Sequence, residues 1–123
     1  VTTKTIAIDI DGVLADFVLD FRKIANRLFG VAIYNTFSQQ NWDFTDLSPA
    51  HLSNIWGEIT TSETFWEGLP QLCGDGELSA IQRLRLDGHN VYFVTSRPGM
   101  TAKQQTVSWL EAHGIEMPAV EVV

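Results

Sequence analysis

One short segment limits the folds open to this chain. Thr5-Ile6-Ala7-Ile8-Asp9-Ile10-Asp11-Gly12 runs an apolar stretch into two carboxylates two residues apart and closes with glycine. The apolar part suits a strand buried on both faces, the kind found in parallel sheets. Asp and Glu are among the side chains least often buried, and like charges held close oppose each other's ionisation. A strand that ends in two acids therefore calls for something at that end that wants negative charge.

The rest of the chain supplies the partners of such a strand. Residues 16–29 carry Phe17, Val18, Phe21, Ile24, Ala25, Leu28 and Phe29 at helical spacing, with Asp16 placed to cap and Gly30 to stop. From 31 to 74 the pattern turns irregular, polar and rich in aromatics. Within it Ser48-Pro49 predicts an N-cap and first helical residue, opening a helix to about residue 60. A second short helix is expected over 62–67, broken by Gly68-Leu69-Pro70. Asp75 is the expected cap of the next helix, whose stripe is Leu78, Ile81, Leu84 and Leu86, ended by Gly88. Val91-Tyr92-Phe93-Val94 reads as a second buried strand. A helix follows over 101–113, with Val107, Trp109 and Leu110 inward, and a third strand over 119–123. Strands alternating with helices predict an α/β fold: a Rossmann-like parallel sheet with helices on both faces. Residues 1–30 and 75–123 make its core, and 31–74 an insert after the first strand–helix unit.

Ligands of open α/β sheets bind beyond the carboxyl ends of the strands. Asp9 and Asp11 leave the first strand there, and Thr95, Ser96 and Arg97 leave the second. One edge offers carboxylates; the other offers hydroxyls, a guanidinium and a turn leading to a helix N-terminus, a natural anion site. The two edges make chemical sense together if a divalent cation joins them, and Mg²⁺ is commonly held by one or two carboxylates plus phosphate oxygens. A carboxylate can also attack phosphorus, while a second one moves protons. Each motif alone has a plainer meaning, a turn for the acids and a capping pair for Thr95-Ser96. Calcium-loop chemistry is excluded, because Val13, Leu14 and Ala15 occupy positions that need oxygen ligands. Each motif following its own strand, in this order, favours phosphate chemistry.

The totals narrow the partners. Fifteen acidic residues against eight basic ones give the 123-residue chain a net charge of −7, which disfavours long nucleic acid and anionic membranes. A small anionic substrate must then be held by a local site. Cys73 is the single cysteine, so no internal disulfide or cysteine-rich zinc site is available. No apolar run approaches the roughly 20 residues of a membrane helix, and no signal peptide is visible, leaving cytoplasmic as the default location.

With these residues in place, the chain resembles the haloacid dehalogenase-like hydrolase superfamily. Asp9-Ile10-Asp11-Gly12-Val13-Leu14 is similar to its first motif and Val94-Thr95-Ser96 to its second. Asp11-Gly12-Val13-Leu14-Ala15-Asp16-Phe17 and Val94-Thr95-Ser96-Arg97-Pro98 most resemble the 5′(3′)-deoxyribonucleotidases. The resemblance implies that Asp9 accepts the phosphoryl group and binds Mg²⁺. Asp11 is implied as the acid/base, with its backbone carbonyl on the metal. Thr95 and Ser96 are implied to hold phosphate oxygens, with Arg97 beside them in the substrate site. The 31–74 insert takes the place of a small helical cap. Phe17 is implied to reach toward the substrate, and Trp42, Trp56, Phe65 and Trp66 are candidates to enclose a base or sugar.

The superfamily also uses a later lysine and an acidic pair that completes the metal site, and Val123 precedes where either would fall. Lys103 lies in the wrong place for the lysine. The expectation is therefore a fragment whose sheet a further segment or second chain completes. The implied activity is a Mg²⁺-dependent phosphatase forming an aspartyl-phosphate, acting on a small phosphate ester, in first place a (deoxy)nucleoside 5′-monophosphate. A sugar-phosphate phosphatase and a non-catalytic nucleotide- or phosphate-binding domain are the alternatives.

Overall fold

A computed structural model describes residues 2–30 and 47–123. The order is β1 (Thr5–Asp9), α1 (Phe17–Phe29), α2 (Pro49–Thr61), α3 (Asp75–Leu86), β2 (Asn90–Thr95), α4 (Ala102–Ala112) and β3 (Ala119–Val122). The three strands form one parallel sheet in the order β1-β2-β3. This is the expected α/β, Rossmann-like arrangement. Asp9 lies level with Val94 in the register of β1 and β2, so both strands release their site residues at the same edge.

Helix ends follow local chemistry. Asp16 Oδ1 accepts the Leu19 N–H at 3.1 Å, and Gly30 ends α1 at φ 65°, a left-handed conformation that suits glycine. Ser48 Oγ accepts the His51 N–H at 3.1 Å ahead of Pro49. Three expectations fail here. Residues 62–67 form no helix: Ser62 Oγ accepts the N–H groups of Thr64 and Phe65, and a turn results. Gly74, not Asp75, is the cap of α3, and Asp75 opens the helix while accepting a hydrogen bond from Gln71. Leu86 is 78% exposed and outside the buried stripe, since α3 is ending there.

The core is one cluster that joins Ile10, Phe21, Phe93, Trp109 and Leu110 to Ile55, Ile59, Trp66 and Leu69. The 47–73 segment is therefore packed into the same interior as the sheet. Burial across the sheet is uneven. Val91, Phe93 and Val120 are buried and share a face with half-buried Ile6 and Ile8, by the strand register. On the other face Ala7, Ala119 and Glu121 are exposed, and Tyr92 and Val94 are half-buried. The right-handed rule for parallel crossovers puts the helices of two crossovers running in the same direction on one face, which fits the asymmetry. Among the described residues the expected helices on both faces are therefore not seen. The reading of β1 as buried on both faces is corrected accordingly: its residues alternate between exposed and half-buried because it is the edge of the described sheet. No helix among the described residues is long and apolar enough to cross a membrane.

Candidate active site

β1 ends on Asp9, and the chain then turns tightly around one carbonyl. Ile10 is fully buried, and its C=O accepts the N–H groups of Val13, Leu14 and Ala15 at 3.2, 2.8 and 3.0 Å. Gly12 takes φ 78°, which a side chain would resist, and donates to the Ala15 carbonyl at 3.0 Å. The loop is fastened from outside where Asp16 N–H donates to Pro70 and Leu72 N–H to Leu14. That rigid turn is why two acids can stand at fixed places beyond a strand end.

The two acids have different surroundings. Asp9 is exposed, and its Oδ1 accepts the adjacent Ile10 N–H at 2.8 Å. Asp11 is gripped by Arg97: Nη2 donates to Oδ1 at 2.7 Å and Nε to Oδ2 at 3.0 Å. The Thr95 hydroxyl lies 3.4 Å from Oδ2. A planar two-pronged pair of this kind fixes orientation as well as charge. The Arg97 side chain is itself wholly buried, with Nη1 donating to Thr106 Oγ1 at 2.9 Å.

Aromatic side chains stand over these groups. Phe17 stacks on Trp56 and on Trp66, each at 5.6 Å between ring centres, with Phe65 tilted against it at 6.0 Å. The Arg97 guanidinium carbon lies 4.8 Å from the Trp66 ring centre. Together Asp9, Asp11, Gly12, Val13, Phe17, Trp56, Trp66 and Thr95–Pro98 line a cavity of about 450 Å³, within the range of small-molecule sites.

The structure thus brings together Asp9, Asp11, Phe17, Trp56, Trp66, Thr95, Ser96 and Arg97. Ser96 is exposed at the cavity, whereas Thr95 is buried with its hydroxyl toward Asp11. Phe65 packs behind the lining, and Trp42 lies outside the described residues. The helix N-terminus expected at the anion site is not part of the cavity: α4 starts at Ala102, and the lining from this loop stops at Pro98. Two buried side chains escaped the sequence reading. Gln105 Oε1 accepts the Trp66 N–H at 2.8 Å, while its Nε2 donates to Ser62 O and Thr101 Oγ1. Thr106 supports Arg97. Their signal was available: Ala102, Thr106, Trp109 and Leu110 recur at helical spacing on one face.

A family model described as 5′ nucleotidase, deoxy (pyrimidine), cytosolic type C protein matches residues 3–123. The chain belongs to this family. The motif resemblance to deoxyribonucleotidases is borne out. A Chlorobaculum tepidum protein, named as a proposed 5′(3′)-deoxyribonucleotidase, is 27% identical over 118 residues, covering 89% of this chain. The nucleotidase-family chain spans 57% of that relative's length. No solved structure matches it at comparable significance.

For this family member the donor set decides what cation the site can take. Among the described residues no three His, Cys, Asp or Glu side chains converge. A transition-metal cage is thereby unsupported by these side chains. The exposed Asp9 carboxylate does fit Mg²⁺, which keeps several waters and takes substrate phosphate oxygens.

Proposed function

We propose that this chain is the phosphoryl-transfer part of a phosphatase for (deoxy)nucleoside 5′-monophosphates. The observation that supports it best is the cavity: an exposed carboxylate at one strand end, hydroxyls at the next, and aromatic rings above both. Asp9 is the nucleophile. Its carboxylate oxygen forms a bond to phosphorus as the ester P–O bond breaks, leaving an aspartyl-phosphate. Asp11 gives the departing oxygen its proton, then takes one from the water that attacks phosphorus and frees Asp9. Thr95 and Ser96 hold phosphate oxygens. The Asp9 carboxylate and the Asp11 carbonyl would hold Mg²⁺, which would supply positive charge to the phosphoryl transfer. Residues 31–74 act as the cap, with Phe17, Trp56 and Trp66 forming the wall that meets the base or sugar.

A phosphate-release panel tests this reading in the natural protein, with and without Mg²⁺. Deoxynucleoside 5′-monophosphates should be turned over best, and only with Mg²⁺ present. Preference for sugar phosphates would move the substrate class. Tight nucleotide binding with no release would make the chain a binding domain.

A further inference from the structure

We propose that Arg97 is a positioning residue for Asp11, and that Trp66 holds it in that role from the cap. The inference rests on the phosphatase reading above and assigns Arg97 away from direct phosphate contact. Three of its nitrogens are already engaged: Nε and Nη2 on Asp11, and Nη1 on Thr106. Burial of a guanidinium is tolerable only with such partners, so turning it toward a substrate would take its buried N–H donors off the acceptors they already have. The carboxylate of Asp11 gains in return a fixed plane, which the fork geometry of arginine provides and a lysine ammonium does not.

Trp66 supplies the remaining side of the arrangement. Its ring lies against the guanidinium. Indole Nε1 donates to Pro98 O at 3.2 Å, one residue beyond Arg97. Its backbone N–H donates to Gln105 on α4. The cap residue is thus fastened to the very loop that carries Arg97. Packing in the cap reaches the acid/base through two contacts, Trp66 on Arg97 and Arg97 on Asp11.

Leaving-group chemistry separates positioning from binding. A deoxynucleoside 5′-monophosphate expels an alkoxide that needs the Asp11 proton; para-nitrophenyl phosphate expels a phenolate that does not. The test measures kcat and KM for both substrates in wild type, Arg97→Lys, Trp66→Leu and the double variant, with thermal unfolding as the fold control. For Arg97→Lys, kcat/KM on the nucleotide should fall about 10²-fold, the scale of a small misplacement, with the loss on the aryl ester below about tenfold. Trp66→Leu should show the same leaving-group dependence in kcat, whereas loss of its contact with the base alone would fall on KM and overturn its part. The double variant should be little worse than the poorer single. Should Arg97→Lys fail to fold, Thr106→Val, which removes only the Nη1 acceptor, should give a milder form of the same pattern. Equal losses on both substrates, carried by KM, would make Arg97 a phosphate ligand and overturn the proposal. Unchanged kinetics would overturn it as well. If wild type releases phosphate from neither substrate, the phosphatase reading falls on its own. The Asp11–Arg97–Trp66 linkage is then decided by unfolding of Asp11→Asn, Arg97→Lys, Trp66→Leu and the two pairwise combinations with Arg97→Lys. Non-additive losses support it, and additive ones overturn it.

Discussion

The ends of β1 and β2 are neighbours in one sheet, yet they are built in opposite ways. The β1 end presents Asp9 to solvent with one local hydrogen bond, on a turn stiffened by its backbone. The β2 end buries Thr95 and Arg97 and turns the arginine's nitrogens onto Asp11 and Thr106. A group that must form and break a bond needs an accessible lone pair, whereas a group that must aim another needs few alternatives. The loose end is suited to reaction, and the tight end to control. Asp11 belongs to β1 in sequence and to the β2 end in its contacts.

The same substitution at the two acids gives the sharpest contrast. Asp9→Asn should abolish turnover while the unfolding temperature stays near wild type, because the amide oxygen can still accept the Ile10 N–H and no buried charge loses a partner. Phosphate release and a thermal melt check both halves. Asp11→Asn should lower kcat by about 10²–10⁴-fold, the usual worth of a placed proton-transfer group. It should also lower the melting temperature, since Arg97 keeps its burial and loses its counter-charge. Equal melts for the two variants would break the comparison.

A smaller effect probes what braces the tight end. Gln105→Leu removes the acceptor shared by the Trp66 and Glu67 N–H groups and the donor to Ser62 O. Buried groups left without partners cost about 1–3 kcal/mol each, so denaturant unfolding should show a clear loss. A variant as stable as wild type would mean that the Ser62–Glu67 turn is not anchored through α4.

The smallest effect lies where the β1 turn is fastened, at Leu72 and Cys73. Burial first, and the Glu77 charge second, push the Cys73 thiol above the usual thiol range. The folded state therefore keeps this proton more firmly than the unfolded chain. The resulting stability is full below the ordinary thiol pKa and is lost as pH rises through the raised value. Iodoacetamide should modify Cys73 more slowly in the folded protein than after denaturation at the same mildly alkaline pH. Equal rates would show that this junction is open.

Elements whose limits come from nearby residues were legible in the sequence: Asp16 and Gly30 bounding α1, Ser48-Pro49 opening α2, and apolar runs marking β1 and β2. Asp9 and Asp11 were legible only together with Thr95-Ser96, each motif following its own strand, since the acids alone read equally as a turn. The failures share one cause, dependence on distant neighbours. Ser62 could equally start a helix or close a turn, and its contact with Gln105 lies 43 residues away. The exposure of β1 depends on what lies beside it in the sheet, which an apolar run does not encode. Arg97 lines the cavity beside Thr95 and Ser96, but nothing in Thr95-Ser96-Arg97-Pro98 says that its side chain turns inward to Asp11. Gln105 and Thr106 share the buried face of α4 with Ala102, Trp109 and Leu110, a spacing the sequence shows, but the partners that satisfy their polar atoms lie in distant segments.

The central claim is that Asp9 carries the phosphoryl group during turnover. Rapid acid quenching of the natural protein with saturating deoxynucleoside 5′-monophosphate and Mg²⁺, followed by peptide mass spectrometry, tests it most directly. The account predicts one phosphoryl mass on the peptide containing Asp9, lost on treatment with hydroxylamine and absent from Asp9→Asn. Steady phosphate release with no modified peptide, and with Asp9→Asn still active, would contradict it.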